Sequence, residues 1–296
     1  MTAIELRRLA TAAGFVGPAV VATVAFVYAP MVATAGLSFF DWSVLAEQVS
    51  FVGLANYRFS IGNIDFVTAT LNTVLYVAVL VPLQIVGPLA LALLVLRVKP
   101  GPLSNLYRGV FFLPTVLSFP IAAVVWLWLF NPIVGAFNTL LGLGGIAPQR
   151  WLNDPDLAIW CVMAVTFWKC LGLNLVLFLA ALVGVPQELV EAAALEGATS
   201  WQKLRYVTLP LISPTLFFSA VTTLLVVLDE IVGAVDVLTE GGPFNTSSNL
   251  LYYLYRRAFR SFQFGDASAV AVVIMAIVAL ATWLQFRVFE RHVHYR

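Results

Sequence analysis

Six apolar runs, at approximately 12–38, 67–96, 109–131, 157–183, 212–237 and 267–288, constrain what this 296-residue chain can fold into. A helix needs about 20 predominantly apolar residues to cross hydrocarbon, and each run supplies them. Inside a bilayer every backbone N–H and C=O must be bonded within the protein, which leaves helices or closed barrels. Nothing here alternates at period two over barrel-length strands of ~10 residues, so a barrel is excluded. Charged residues make up 10% of the chain. A soluble domain carries about 25%, so this one could not cover its own surface in water. The expected fold is all-α, a membrane protein with six transmembrane helices. The first run is too long for a signal-peptide core and no small-residue cleavage site follows it, so no cleaved targeting segment is expected.

Basic residues orient the spans. Six crossings put both termini on one side with the 97–108 and 184–211 loops. That side carries Arg7, Arg8, Arg97, Lys99, Arg108, Lys203, Arg205, Arg287, Arg291 and Arg296. The other side carries Arg58, Arg150, Arg256, Arg257 and Arg260, together with acids such as Asp41, Glu47, Asp65, Asp154, Asp156, Glu240 and Asp266. The bias predicts that both termini are cytoplasmic. The formal net charge of +1 argues against binding nucleic acid. Cys161 and Cys170 lie nine residues apart in one run, about 13 Å of helical rise, which is too far for a bond between them.

Catalytic constellations are missing. The two histidines, His292 and His294, both sit in the C-terminal tail, so no His-based metal set can form within the membrane. The "GLGG" run at Gly142–Gly145 lacks a strand–loop–helix setting, and no GxxxxGK[ST] occurs. The chain reads as a non-catalytic membrane subunit, and any ATP hydrolysis must come from another chain.

The stretch "VPQELVEAAALEGATSWQKLRYVTLPLISPT", Val185 to Thr215, interrupts the apolar pattern. Pro186 can open a helix, because its missing N–H would be unpaired in the first turn. "QELVEAAALE" continues with helix formers and places Glu188 and Glu191 near the positive end of the macrodipole. Gly197 can end that helix in a left-handed conformation. Thr199 with Gln202 three residues later predicts a capping box that starts a second helix, ending at Leu209–Pro210. Two readings fit such a loop. It lies at the lipid interface, or it docks a soluble partner. The Ala-rich first helix is narrow and acidic rather than basic, which favours docking over an anionic membrane surface.

"EAAALEGA" and the following "LPLISP" resemble the EAA loop of membrane subunits of binding-protein-dependent ABC importers. Glu191, Ala192, Ala193, Gly197 and Pro210 match that family's pattern, and Glu196 stands where an Asp is usual. "FVGLANYRF" at 51–59, "LNTVLY" at 71–76, "WLFNP" at 128–132 and "LTEGGPFNTSSNLLYYLYRRAF" at 238–259 resemble further family segments in the expected order. The likeness spans essentially the whole chain. It is greatest to the carbohydrate-type permeases, and the 167–198 segment and the C-terminal tail look most like A-type permeases of glycerol-3-phosphate and glycerophosphodiester importers.

The resemblance implies a single transmembrane domain over 1–296 with the type I ABC importer permease fold, in the bacterial inner membrane. It also implies a second homologous permease, two cytoplasmic ABC ATPase subunits and an external solute-binding protein as partners, besides membrane lipid. No cofactor is expected on this chain, since ATP and Mg belong to the partner ATPase. The implied ATPase-coupling residues are Glu188, Glu191, Ala192, Ala193, Glu196, Gly197, Ala198 and Pro210. The implied function is half of a translocation pore for glycerol 3-phosphate or glycerophosphodiesters such as glycerophosphocholine. The alternatives are the same architecture importing a sugar and, more distantly, an ion-coupled secondary transporter. The latter needs an internal repeat of broken helices, which the sequence does not show.

Polar residues inside spans are expensive and mark a cavity or a partner. Trp168, Lys169, Asn174, Asp229, Glu230 and Asp236 form the candidate translocation path. Lys169 would suit a phosphate, and the acids a cationic headgroup or sugar hydroxyls. The competing reading is a charge pair that locks two helices, or contact with a companion chain. The aromatic trio Trp126, Trp128 and Phe130 reads as an interfacial belt. "GGPFNTSSN" reads as an outer turn, with docking of the binding protein as the family implication.

Overall fold

The computed structural model describes residues 3–43, 49–99 and 101–289, with side chains over 13–43, 49–99 and 101–287. The expectations for Glu47, Arg291, His292, His294 and Arg296 lie outside the described residues. The chain divides into two compact units, residues 1–63 with 254–276, and residues 64–253 with 277–296.

The first unit begins with α1 (Ala3–Thr23) and α2 (Ala29–Leu37), joined by a π-helical turn at Val24–Tyr28. The Ala29 N–H bonds Val24 O, five residues back, immediately before Pro30. A proline has no N–H and its ring clashes with the carbonyl four residues earlier, so widening the turn relieves both problems. A short antiparallel pair, β1 (Phe40–Asp41) with β2 (Ser50–Phe51), leads to α3 (Ala55–Gly62). Asn56, within the "FVGLANYRF" segment, donates to Ser38 O and Phe40 O at 2.9 Å each and so fixes the hairpin to its helix. Ser60 donates to Asp266 at 2.8 Å, and Arg257 bonds the other oxygen of the same carboxylate.

The second unit contains α4 (Ile64–Val95), α5 (Pro102–Val116), α6 (Phe119–Leu129), α7 (Ala136–Leu143), α8 (Ala158–Val183), α9 (Gln187–Leu195), α10 (Ser200–Lys203), α11 (Leu209–Leu211) and α12 (Ser213–Leu238). The short α13 (Leu250–Tyr255) and the long α14 (Phe264–Phe289) each contribute to both units. α8 is the buried centre, with α4, α5 and α12 packed around it. Tyr76, Val162, Val165, Val227 and Ile231 fill one core, and Ala92, Leu175, Phe178 and Ile212 a second.

Lipid is as apolar as leucine, so close approach and polar contacts must hold these helices together. Gly172 provides one such approach. A methyl group there would sit 2.5 Å from Thr115 Oγ1 and 2.8 Å from the Phe112 backbone.

Among the described residues, four helical stretches are long and apolar enough to cross a membrane: Ala13–Leu37, Ile64–Val95, Ala158–Val183 and Phe264–Arg287. Two bent pairs bring the number to six when each pair counts as one span. The run expected to be continuous over 109–131 is broken instead, with Pro102–Val116 and Phe119–Leu129 meeting at 104°. Pro120 forces the break. It has no N–H for Val116 O, and Leu117 and Ser118 are both extended between the two helices. The second bend, 71°, separates Ser200–Leu211 from α12. There Pro214 lacks the N–H that would reach Pro210 O, and Ser213 Oγ donates to that carbonyl at 2.7 Å instead.

The aromatic belt also needs correction. Trp128 is exposed, but Phe130 is buried, and Trp126 and Phe130 stack with Phe137 and Trp151. Asn138 locks this cluster, accepting from Trp151 Nε1 at 3.0 Å.

Candidate functional site

The interrupting loop is built from local rules. Pro186 holds an extended conformation one residue before α9, whose first turn carries Glu188. At the other end Gly197 adopts φ +84°, with open space where a side chain would project. Its N–H bonds Ala194 O, and the Ala198 N–H bonds Ala193 O, each at 3.0 Å. These two bonds complete a Schellman motif and leave no need for a further turn of helix. Thr199 then starts the next helix. Gln202 N–H donates to Thr199 Oγ1 at 3.3 Å, and Thr199 N–H donates to Gln202 Oε1 at 2.7 Å. A π-helical turn at Leu204–Thr208 precedes Pro210, repeating the arrangement before Pro30.

Among the residues expected to couple, Glu188, Glu191, Ala192, Glu196 and Gly197 are exposed, while Ala193, Ala198 and Pro210 are half-buried. A cleft of about 370 Å³ separates α9 from the following helix, with Glu196 on one wall and Lys203 and Tyr206 on the other. Three large side chains of this loop, not legible as site residues, stand in the open: Leu195 is 90% exposed, Tyr206 70% and Trp201 63%. Their signal in the sequence was present but weak, being single apolar residues on a charged helix pair.

The opposite loop, 239–249, is rigidly tied. Asn72 Nδ2 reaches Asn245 O, Thr246 O and Ser248 O at 3.2, 2.9 and 2.9 Å. Tyr76 donates to Ser247 O at 2.9 Å, and Thr73 Oγ1 accepts from the Leu250 N–H at the same distance. The "LNTVLY" and "GGPFNTSSN" segments are thus two halves of one structure. Phe244, at its tip, is 89% exposed.

Within the spans the six path candidates separate. Lys169 on α8 and Glu230 on α12 form an ion pair at 2.9 Å, with 7% and 26% of their side chains exposed. The ring of Phe119, from the start of α6, lies 5.5 Å from the Lys169 ammonium. Trp168 is half-buried and meets Trp126 edge-on at 5.5 Å. Asn174 belongs to a different, buried network. It donates to Gln84 O and Thr223 Oγ1 at 2.9 Å each and accepts from Ser219 at 3.1 Å. Gln84, Ser219 and Thr223 were not expected to take part, since isolated hydroxyls and amides on apolar helices carry no pairing signal.

Asp229 is exposed on α12 beside the paired Glu230, and Asp236 is half-buried two turns further along. An acid facing hydrocarbon near a span centre would cost about 2.5–3.5 kcal/mol. Among the described residues, no group of three or more His, Cys, Asp or Glu could hold a metal.

Comparison with known proteins bears on this arrangement. The family described as "Binding-protein-dependent transport system inner membrane component" matches residues 84–295. A probable ABC transporter permease protein of Pyrococcus horikoshii is 32% identical over 91% of this chain and 93% of its own. The sn-glycerol-3-phosphate transport system permease protein UgpA of Brucella abortus is 32% identical over 94% of each chain. Among solved structures, a bacterial ABC transporter involved in the import of the acidic polysaccharide alginate contains a chain that superposes with TM-score 0.84. It is 21% identical, with 97% of both chains covered, and so shares the fold.

Proposed function

The chain belongs to the family of binding-protein-dependent transport system inner membrane components, and we propose that it forms half of the solute path of such a machine. It is a multi-pass inner-membrane ABC importer permease subunit of the carbohydrate-type family. The other half of the path is a homologous permease. Two ATPase subunits bind on the cytoplasmic side, and a solute-binding protein docks outside against the braced 239–249 loop. ATP and Mg are held by the ATPases.

The observation that carries this reading is the exposed helix–bend–helix of Pro186–Pro210. α9 offers a narrow acidic face, and Gly197 and Thr199 hold it at a fixed angle to the helix behind. That second helix runs into α12 through a single bend, so displacement of α9 is passed to a spanning helix. Closure of the ATPases draws the two loops of the permease pair together and rocks the spans from inward- to outward-facing. Access to a fixed site alternates by rigid-body motion of this type.

The solute we assign is a glycerol 3-phosphate or glycerophosphodiester. Support comes from the UgpA relatives of Brucella abortus and Agrobacterium fabrum, 32% and 31% identical over nearly the whole chain. A sugar is the second reading, favoured by Asp229 and Asp236, whose carboxylates accept from hydroxyls. The test is uptake by the complete complex, reconstituted in vesicles with its companion permease, ATPase and binding protein. ATP-dependent accumulation of glycerophosphocholine or glycerol 3-phosphate, above that of maltose, is the expected result. Uptake by this chain alone without ATP would contradict the reading.

A further inference from the structure

The segment that joins α6 to α8 carries no charged side chain between Asn131 and Gln149. It contains α7, one face of which is fixed to the protein. Phe137 packs against Trp126, Phe130 and Trp151, and the buried Asn138 amide donates to Pro132 O and Gln149 O at 3.0 and 2.9 Å. Trp151 O in turn accepts from Cys161 Sγ at 3.6 Å, in the first turn of α8. These contacts hold the excursion at the depth where α8 begins.

The other face of α7 is aliphatic and open. Leu140 and Leu143, three residues apart and therefore on one side of the helix, are 63% and 83% exposed. Ile133, Val134 and Ile146, in the turns on either side of α7, are exposed as well, Ile133 to 88%. An aliphatic surface of this extent, with no charge among it, is built to meet something other than water.

Three observations select lipid as what it meets. Ile121, Val124, Val125 and Trp128 form an exposed stripe on α6 at helical spacing, and the chain runs from that stripe straight into Ile133 and Val134. The open face is thus continuous with the apolar side of a spanning helix. Trp128 before the excursion and Arg150 at its end, both exposed, are residue types that collect where hydrocarbon meets headgroups. The backbone is also bonded internally, as an apolar medium requires. Asn131 Oδ1 accepts from the Ile133 and Val134 N–H groups at 2.9 and 3.0 Å, Leu141 O from Ile146 at 3.0 Å, and Asn138 Oδ1 from Gln149 at 3.0 Å.

We propose that α7 and its flanking turns lie in the outer leaflet, with Leu140 and Leu143 among the acyl chains and Arg150 at the headgroups. Through Asn138 and Trp151 the bilayer then holds the outer end of α8 at constant depth while α12 is driven from the cytoplasmic side. The choice of leaflet rests on the reading that the 184–211 loop is cytoplasmic, which makes the start of α8 its outer end.

Spin labelling of the assembled complex in vesicles tests the inference. Leu143→Cys is made in a Cys161→Ser, Cys170→Ala background, where the serine keeps a donor for Trp151 O, and its thiol is given a nitroxide. Oxygen concentrates in hydrocarbon and nickel(II)–EDDA stays in water, so their relative effects on nitroxide relaxation report its depth. Oxygen should be the stronger relaxant, with the label about 5–10 Å below the phosphates. Ile133→Cys, in the turn before α7, supplies the same measurement if Leu143→Cys does not assemble. Stronger relaxation by the nickel complex would put the face in water, and protection from both reagents would put it against a companion chain. Either result overturns the proposal. ATP-driven uptake by the same vesicles reports the importer reading separately. A water-exposed label with uptake intact defeats only this inference, whereas no uptake of any solute by the unsubstituted complex defeats the importer reading itself.

Discussion

Lys169 and Glu230, 61 residues apart in sequence, meet at 2.9 Å and tie α8 to α12 inside the membrane. Removing one partner of a buried pair leaves an uncompensated charge, whereas removing both does not. Lys169→Met or Glu230→Gln should each lower stability by about 2–4 kcal/mol, the range being reduced because Glu230 stays partly open. The double substitution should recover most of that loss. Thermal unfolding of the purified complex reads all three. Single variants that melt with the native protein would show that the pair is not a structural lock.

Gly172 sets the distance between α5 and α8. Alanine there would place a methyl group 2.5 Å from Thr115 Oγ1, and the neighbouring contacts are backbone that cannot swing away. Overpacking of this kind costs about 1–3 kcal/mol. Gly172→Ala should reduce the folded yield in detergent, and Thr115→Ala should restore only part of it, because the Phe111 and Phe112 backbone remains. Wild-type yield from Gly172→Ala alone would contradict the packing described.

The bend at Gly197 separates folding from coupling. Its φ of +84° is strained for any L side chain, at about 1–2 kcal/mol, yet nothing crowds the position. Gly197→Asp should leave the spans folded and assembled while transport falls at least tenfold relative to ATP hydrolysis. The measurement is the ratio of solute taken up to ATP hydrolysed in the same vesicles. An unchanged ratio would remove the role given to the bend.

Asn72 braces the outer loop through three carbonyls. Asn72→Leu should raise hydrogen exchange across 239–249 without unfolding α4. It should weaken uptake through the affinity for the binding protein rather than through the maximal rate. Native exchange in that loop would show that the bonds do not hold it.

The sequence made the loop legible because its rules are local. Thr199 and Gln202 are three residues apart, and Gly197 directly follows the last helical residues, so spacing alone names the cap and the bend. The long-range pairs could not be read this way. Charged residues in two spans allowed a helix-locking pair, but nothing in an apolar run says that Lys169 takes Glu230 rather than Asp229, or that Asn174 is held by Gln84, Ser219 and Thr223 rather than facing a path. The break at Ser118 was written in Pro120, but hydropathy averages over it. The burial of Phe130 depended on Phe137 and Trp151 folding back from the following segment.

The central claim is that the exposed face of α9 docks on an ATPase rather than on lipid, and Leu195, 90% exposed at its end, is placed to report it. A photoreactive benzoylphenylalanine at Leu195, irradiated in membranes containing the whole complex, should give an adduct with the mass of this chain plus one ATPase subunit. That adduct should be lost when the ATPase is omitted. Cross-linking to phospholipid alone, whether or not ATPase is present, would contradict the account.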